Sequence, residues 1–343
     1  MFFEHLDLNL TWFVLVGCLF TGYAILDGFD LGVGALHLLT HTDEERRLML
    51  NSIGPVWDGN EVWLVTGGGA LFAAFPDVYA TAFSGFYLAF MLLLVMLIFR
   101  AVAIEFRSKM PMRWWRQLWD ISFSVSSVLG AVIQGIALRN VALGVPLGTN
   151  HEFQGTFLGL LNPYALLVGV TTLAMFAMHA TLYVVLKTED KLQAKAQGWL
   201  LYTLPAFVIC YITTTMVTLL YVPQMTDHIR HQPAFFVIAF LNMLAVANIP
   251  REIYHGRALN AFLSSCLTIV LMMSLFGLGV FPYLLPSNPH WELGLHIYNA
   301  ASSQKTLGIM LIIALLAIPL VISYTISIYW IFRGKVKLTV KSY

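Results

Sequence analysis

Two pairs of acidic residues at helical spacing are the residues best suited to chemistry in this chain. Asp27 and Asp30 are three residues apart, and Asp58 and Glu61 repeat that spacing, so each pair should share one helix face. Both pairs adjoin long apolar stretches, and carboxylates inside membranes recur in proton relays. We interpret both pairs as acidic helix faces suited to proton transfer. The competing interpretation is that they stand at helix ends near water, Asp58 and Glu61 being favoured there by the helix dipole.

One arginine interrupts the apolar segment "MLIFRAVAIEF". Glu105 follows Arg100 by five residues and Arg107 comes after it, so Arg100 lies about one and a half turns inside the cytoplasmic edge. It could snorkel to the membrane edge. Alternatively, it could pair with an acid from another helix and fix two helices in register. Both interpretations stay open at the level of sequence.

Glycines and histidines decide how closely the helices approach and what they could bind. Gly28 and Gly32 form one GxxxG pattern, and "GGG" at Gly67 begins a run without side chains, so we predict close helix packing there. The alternative is space left for a large flat ligand. His179 is the only histidine well inside an apolar run, and we expect a hydrogen-bonded packing residue rather than a haem ligand. Cysteine and histidine spacing predicts no metal site.

The elements that position these residues must be membrane helices. Hydrophobic residues make up 59% of the 343 residues and charged residues 11%, with a mean hydropathy of +0.76. This composition excludes an ordinary soluble protein, and the net charge of +1 gives no basis for binding nucleic acid. Nine apolar runs are near the length that spans a bilayer, at about 10–38, 54–75, 79–104, 118–140, 160–186, 199–222, 233–250, 258–282 and 306–332.

The distribution of lysine and arginine tests this helix count and gives an orientation. With nine helices and the N-terminus outside, the inside segments hold 15 of the 19 Lys and Arg residues, the outside segments hold three, and Arg100 lies within a span. We therefore predict a single polytopic membrane domain over residues 1–343, with the N-terminus outside and the C-terminus in the cytoplasm. No soluble domain is expected between the spans.

Several motifs occur in a fixed order along the chain, densely over residues 24–120. They are "DGFDLGVG", "ERRLMLNSIGPVWDGNEVWLVTGGGALFAAFP", "YATAFSGFY", "FRAVAIEFRSK", "WD" at Trp119 and Asp120, "LNPYALLVGV" and "ASSQKTL". Together they resemble subunit II of the cytochrome bd-type quinol oxidases. The resemblance implies two four-helix bundles plus a peripheral helix in the bacterial inner membrane. It also implies a haem-free chain beside a subunit I that carries haem b and haem d, oxidises quinol and reduces dioxygen to water.

The resemblance also implies roles for particular residues. Asp58 would be the membrane-embedded acid on a proton path from the cytoplasm, with Glu105, Lys109 and Tyr343 at its mouth. Other positions would act at the haem-bearing interface through packing and charge rather than ligation; these are Trp57, Asp30, Arg100 and Asp120. Small single-helix subunits, bound lipids and a structural quinone are further partners that the family leaves open. Without the resemblance, a proton-coupled secondary transporter would use paired intramembrane acids equally well.

Overall fold

The computed structural model describes residues 6–222, 233–339 and 342, and the described chain is almost entirely helical. Tyr343, predicted at the mouth of the proton path, lies outside the described residues. The helices are α1 (Leu8–Leu36), α2 (Asp43–Ile53), α3 (Trp57–Ala74), α4 (Pro76–Gly85), α5 (Tyr87–Phe106), α6 (Arg113–Leu143), α7 (Phe157–Leu160), α8 (Pro163–Lys187), α9 (Asp190–Tyr221), α10 (Pro233–Tyr254), α11 (Ala258–Val280) and α12 (Gln304–Ile331). One short hairpin pairs β1 (Tyr283–Leu285) with β2 (Leu295–His296).

Polar residues at the helix starts explain where several helices begin. The Asp7 side chain accepts hydrogen bonds from the first backbone N–H groups of α1, and Thr42 forms a capping box with Glu45 at the start of α2. Asn162 caps α8, and Pro163 follows at the first helical position, where its missing N–H costs nothing. These caps satisfy backbone donors that no helical carbonyl can reach.

Eight helices among the described residues are long and apolar enough to cross a membrane: α1, α5, α6, α8, α9, α10, α11 and α12. The predicted all-helical membrane fold is confirmed, and the count of nine is approximate. The helix at the predicted span 54–75 is α3, which has 18 residues and begins with Asp58, Asn60 and Glu61. The predicted span 79–104 is divided between α4 and α5, and Gly85 at the end of α4 lies against Phe153.

The long helices form two groups of four with one helix outside them. In the first group α1 packs against α3 and α6, and α5 packs against α6. In the second, α8 packs against α9 and α11, and α10 packs against α11, while α1 and α6 join the groups by contacting α8. The last helix, α12, contacts α1 and α3 and buries only 11% of its span. This agrees with two bundles plus a peripheral helix.

The two ends of the helical body differ in character. At the basic end, α1, α5 and α8 finish and α3, α6 and α9 begin, and Arg46, Arg107 and Lys187 gather there. At the opposite, loop end, the β1–β2 hairpin covers the helix termini and a hydrophobic core that includes Trp12. A larger core lies toward the basic end, where the Phe29 ring stacks on Tyr183 with centroids 4.0 Å apart.

Close helix packing is observed at some of the glycines. Gly32 of α1 lies against the backbone of Phe176 in α8, so a side chain there would collide with a neighbouring helix. Gly67 of α3 packs against α1. At Gly68 and Gly69 a Cβ atom would meet no other atom within 4 Å, so the close-packing interpretation of the triplet holds for its first member.

Candidate functional site

A buried ion cluster joins three helices around Arg100. Arg100 is 1% exposed, and its Nη1 donates to Asp27 Oδ1 at 2.6 Å. Its Nη2 donates to Glu61 Oε2 at 2.9 Å. Asp27 on α1 is fully buried, and Glu61 on α3 is 21% exposed. The structure therefore shows pairing with acids from two other helices rather than snorkelling, and the cluster fixes α1, α3 and α5 relative to one another.

The second acid of α1 is held by an amide rather than by a cation. Asp30 is fully buried, and its Oδ2 accepts a hydrogen bond from Asn60 Nδ2 at 2.8 Å. The Asn60 carbonyl oxygen in turn accepts from the Tyr329 hydroxyl of α12 at 2.9 Å. Asp30 Oδ1 and Asp27 Oδ2 are both buried, and neither accepts a hydrogen bond from a residue that the structure describes. Asn60 thus ties the peripheral helix to α1 and α3.

Asp120 is the centre of a second cluster, at the basic end. This carboxylate is 1% exposed and lies 2.6 Å from His37 Nε2. It accepts from Arg46 Nη1 at 2.8 Å and from Arg107 Nε at 2.5 Å. Arg107 also donates to Asp43 at 2.9 Å. One carboxylate therefore joins the ends of α1 and α5 with α2 and α6.

Asp58 is placed differently from the other acids. It lies exposed in the first turn of α3, on a face whose apolar residues Val62, Val65 and Phe72 are 52%, 71% and 59% exposed. It has no hydrogen bond or ion pair with a described residue. Although Asp58 and Glu61 were expected to share a face, three residues leave about 60° between their directions. At the edge of the helix packing this angle turns Glu61 inward and Asp58 outward.

The remaining predicted residues of the proton path lie near the basic end. Glu105 is partly buried in the last turn of α5, and Lys109 is exposed in the 3-10 turn that follows. No hydrogen bond or ion pair connects Asp58 to Lys109 within the described residues. Trp57, the first residue of α3, is half-buried against the larger hydrophobic core.

Outside the spans, one ion pair has a shifted acid. Glu45 accepts from Lys195 Nζ at 3.0 Å and from the His41 backbone N–H at 2.8 Å. Partial burial acts to raise the pKa of Glu45, but these hydrogen bonds outweigh it and the pKa lies below its ordinary value. The pair connects α2 to the start of α9.

Comparison with known proteins identifies the architecture that holds these clusters. The family model described as cytochrome bd terminal oxidase subunit II matches residues 8–332. The chain belongs to this family. It is 36% identical to the cytochrome bd-I ubiquinol oxidase subunit 2 of Escherichia coli strain K12, over 96% of this chain and 95% of that protein. It is 32% identical to the cytochrome bd ubiquinol oxidase subunit 2 of Bacillus subtilis strain 168, over 96% and 97%.

A solved structure shares the fold of this subunit II family member. The bd oxidase from Geobacillus thermodenitrificans matches with a TM-score of 0.79 over 96% of this chain and 98% of that chain, at 15% sequence identity. The predicted family and its multi-pass inner-membrane location are confirmed. As a subunit II, the chain has a partner subunit, and the cytochrome family implies haem and quinol use in the complex.

Two buried histidines of this family member are held by contacts with other protein groups. His179 Nδ1 lies 2.6 Å from Ser265 Oγ, its Nε2 lies 3.1 Å from the Ile25 carbonyl oxygen, and its ring stacks on Phe262. His37 is fully buried, and its Nε2 lies 2.6 Å from Asp120 Oδ1. His179 is therefore the packing residue that the sequence predicts. Within the described ranges, no three His, Cys, Asp or Glu side chains form a metal-binding group.

Sequence reasoning missed four residues of these clusters. Asn60 stands between two acids in "WDGNEV", and an amide beside acids at the start of an apolar run could have indicated a hydrogen bond to a carboxylate. His37, Arg46 and Arg107 gave no such signal, because each looked like an ordinary polar residue at a helix end. Only the fold brings them to Asp120, which lies 83 residues from His37 along the chain.

Proposed function

We propose that this chain is the haem-free subunit II of a bd-type quinol oxidase, a complex that oxidises quinol and reduces dioxygen to water. The haem b and haem d groups would be ligated by the partner subunit I. The engagement of both His179 ring nitrogens in protein hydrogen bonds supports this division, since that ring has no nitrogen free to bind iron. This chain would itself ligate no haem iron.

The observation that carries the proposal is the position of Asp58. An exposed carboxylate without a partner among the described residues, on an otherwise apolar helix face, is costly against lipid, although in the first turn of α3 the cost is below the roughly 2.5–3.5 kcal/mol of a span centre. A partner subunit that covers this face would remove that cost and give the acid a function. We therefore infer that α3 contacts subunit I through Asp58, Val62, Val65 and Phe72.

In this complex Asp58 would transfer protons. Its carboxylate would accept a proton at the basic end, which we assign to the cytoplasm by the excess of Lys and Arg there. It would then release the proton toward the partner, where dioxygen reduction consumes it. Glu105, Lys109 and Tyr343 would form the cytoplasmic mouth. A carboxylate can take and release a proton at neutral pH once its surroundings adjust its affinity.

The two buried clusters would have structural roles. Arg100 holds Asp27 and Glu61 and thereby fixes the depth of α3, on which Asp58 stands. Asp120 locks the basic ends of four segments. Both clusters would position the interface for the haem subunit without touching substrate.

Substitution of Asp58 in the purified complex tests the relay. Asp58→Asn keeps the shape of the side chain but replaces the carboxylate with an amide that cannot take up and release a proton. We expect an assembled complex whose quinol-dependent oxygen consumption falls by about 10²-fold or more. Asp58→Glu should retain most of the turnover. Asp77→Asn is the matched control, because Asp77 is also an exposed acid in the first turn of a helix but lies at the loop end. Unchanged turnover in assembled Asp58→Asn complex would remove the relay role.

A further inference from the structure

A cavity of about 310 Å³ opens at the basic end, away from both ion clusters. Three parts of the chain line it: the end of α2 with the turn that leads to α3, the end of α8, and the end of α12 with the segment that follows it. Since a water molecule occupies about 30 Å³ in the liquid, this space has the size of a small polar group rather than of one or two waters. It belongs to neither the Asp58 face nor the Arg100 cluster.

Three lysines line this cavity: Lys187, Lys335 and Lys337. Lys187 Nζ donates to the carbonyl oxygens of Phe332 and Gly334. Lys335 Nζ donates to carbonyl oxygens at the end of α8, at 2.9 Å and 3.4 Å. These carbonyls occupy two of the three protons of each ammonium group, so each keeps one donor for a further partner.

The positive charge of these lysines is uncompensated within the part of the chain that the structure describes. None of the three ammonium groups has a carboxylate within 4 Å there, unlike Lys195, which pairs with Glu45. Lys187 and Lys335 are close enough to repel each other electrostatically. Backbone carbonyls satisfy hydrogen bonds but carry no net charge, so two converging cations at a membrane edge favour an anion between them.

We propose that this cavity binds the phosphate group of an anionic phospholipid. The phosphate oxygens would accept the remaining ammonium protons, and the apolar rim selects a lipid over a free ion. Ile331 and Phe332, at the end of the last span, are 66% and 45% exposed beside the lysines. A basic pocket between transmembrane helices, with apolar surface adjoining it, is typical of lipid headgroup recognition. This inference goes beyond the proposed oxidase function.

The occupant would act on the peripheral helix. Tyr329 of α12 lines the cavity, and its hydroxyl donates to Asn60, which holds Asp30. The segment after α12 is joined to α8 by the lysine hydrogen bonds and by the Val336 N–H, which donates to the Lys187 carbonyl oxygen at 2.8 Å. A bound headgroup would therefore neutralise the repulsion between the lysines and stabilise the attachment of α12.

The test compares lipid and free phosphate on the intact complex. The complex is reconstituted in nanodiscs of phosphatidylcholine, of phosphatidylcholine with phosphatidylglycerol, or of phosphatidylcholine with inorganic phosphate. Bound lipid is counted by native mass spectrometry, and the thermal midpoint is measured. Lys337→Gln is the main variant, because Lys337 makes no hydrogen bond or ion pair with described residues and its loss leaves the fold intact. Lys191→Gln removes an equally exposed lysine at the same end as control.

We expect phosphatidylglycerol to raise the thermal midpoint of the wild-type complex and to remain bound to it. Lys337→Gln should bind this lipid about fivefold more weakly, whereas Lys191→Gln should bind it as tightly as the wild type. The double variant Lys187→Arg/Lys335→Arg keeps the charge and should keep the lipid. Equal protection by inorganic phosphate in phosphatidylcholine discs would assign the site to a free anion and overturn the lipid source. Equal binding to the wild type and to Lys337→Gln would overturn the site.

Discussion

Replacing Arg100 by glutamine removes the only cation of a buried cluster and leaves two carboxylates without compensation. Asp27 is fully buried, and Glu61 is 21% exposed, so Asp27 bears most of the penalty. Removing one partner of a buried ion pair costs about 3–5 kcal/mol. At about 1.4 °C per kcal/mol for a chain of 343 residues, the thermal midpoint should fall by roughly 4–7 °C.

A matched control separates this effect from the loss of any arginine. Arg139 lies near the loop end of α6, where its Nη1 donates to the neutral Asn140 side chain and its guanidinium lies over the Tyr164 ring. Arg139→Gln should cost about 1 kcal/mol, in the range of a neutral hydrogen bond. The assay is the thermal midpoint of the detergent-purified complex, followed by fluorescence-detected size exclusion.

Neutralising the whole cluster gives the decisive comparison. The triple variant Asp27→Asn/Glu61→Gln/Arg100→Gln removes every charge, and fully neutral replacements of buried ion clusters are often tolerated. It should therefore be more stable than Arg100→Gln alone. If Arg100→Gln is no less stable than Arg139→Gln, or if the triple variant is the least stable of all, the cluster does not hold the helices by charge compensation.

Three further outcomes follow from the described contacts. Asp120→Asn should destabilise the complex by about 3–5 kcal/mol, because three buried or half-buried basic groups lose their shared carboxylate. Asp43 is 45% exposed, so the control Asp43→Asn should cost about 1 kcal/mol or less in the same thermal assay. Gly32→Leu should prevent α1 from packing on α8 and lower the yield of assembled complex, while Gly68→Leu, which meets open space, should not. Because the pKa of Glu45 is lowered in the folded chain, its ion pair stabilises the fold above the unfolded pKa of about 4.3, and this stabilisation is lost as the pH falls through the lower folded pKa. Glu45→Gln should therefore make the thermal midpoint less dependent on pH between about 5 and 3.

The sequence predicts most of the membrane architecture because span length and apolar composition are local properties. The long helices follow directly from their apolar runs, and the glycines of α1 correctly indicate close packing. Local reasoning does not place a boundary inside a long apolar run, as between α4 and α5. The division between α4 and α5 falls at Gly85, which lies against Phe153, almost 70 residues further along the chain.

The candidate site was predicted less completely than the fold. An arginine in an apolar run predicts that some acid must face it, but not that Asp27 and Glu61 do so together. The outward direction of Asp58 depends on how α3 is rotated against α1, which the spacing alone does not fix. Arg107 looked like a solvated loop residue and is 2% exposed, because two acids from different helices surround it.

The most direct test of the central claim is a reduced-minus-oxidised optical spectrum of the complex isolated from native membranes through a tag on this chain. We expect bands of haem b and haem d when the partner subunit is present, and a colourless, folded preparation when this chain is expressed alone. A colourless complex from native membranes, with this chain intact, would contradict the assignment to the haem-free half of a bd-type oxidase.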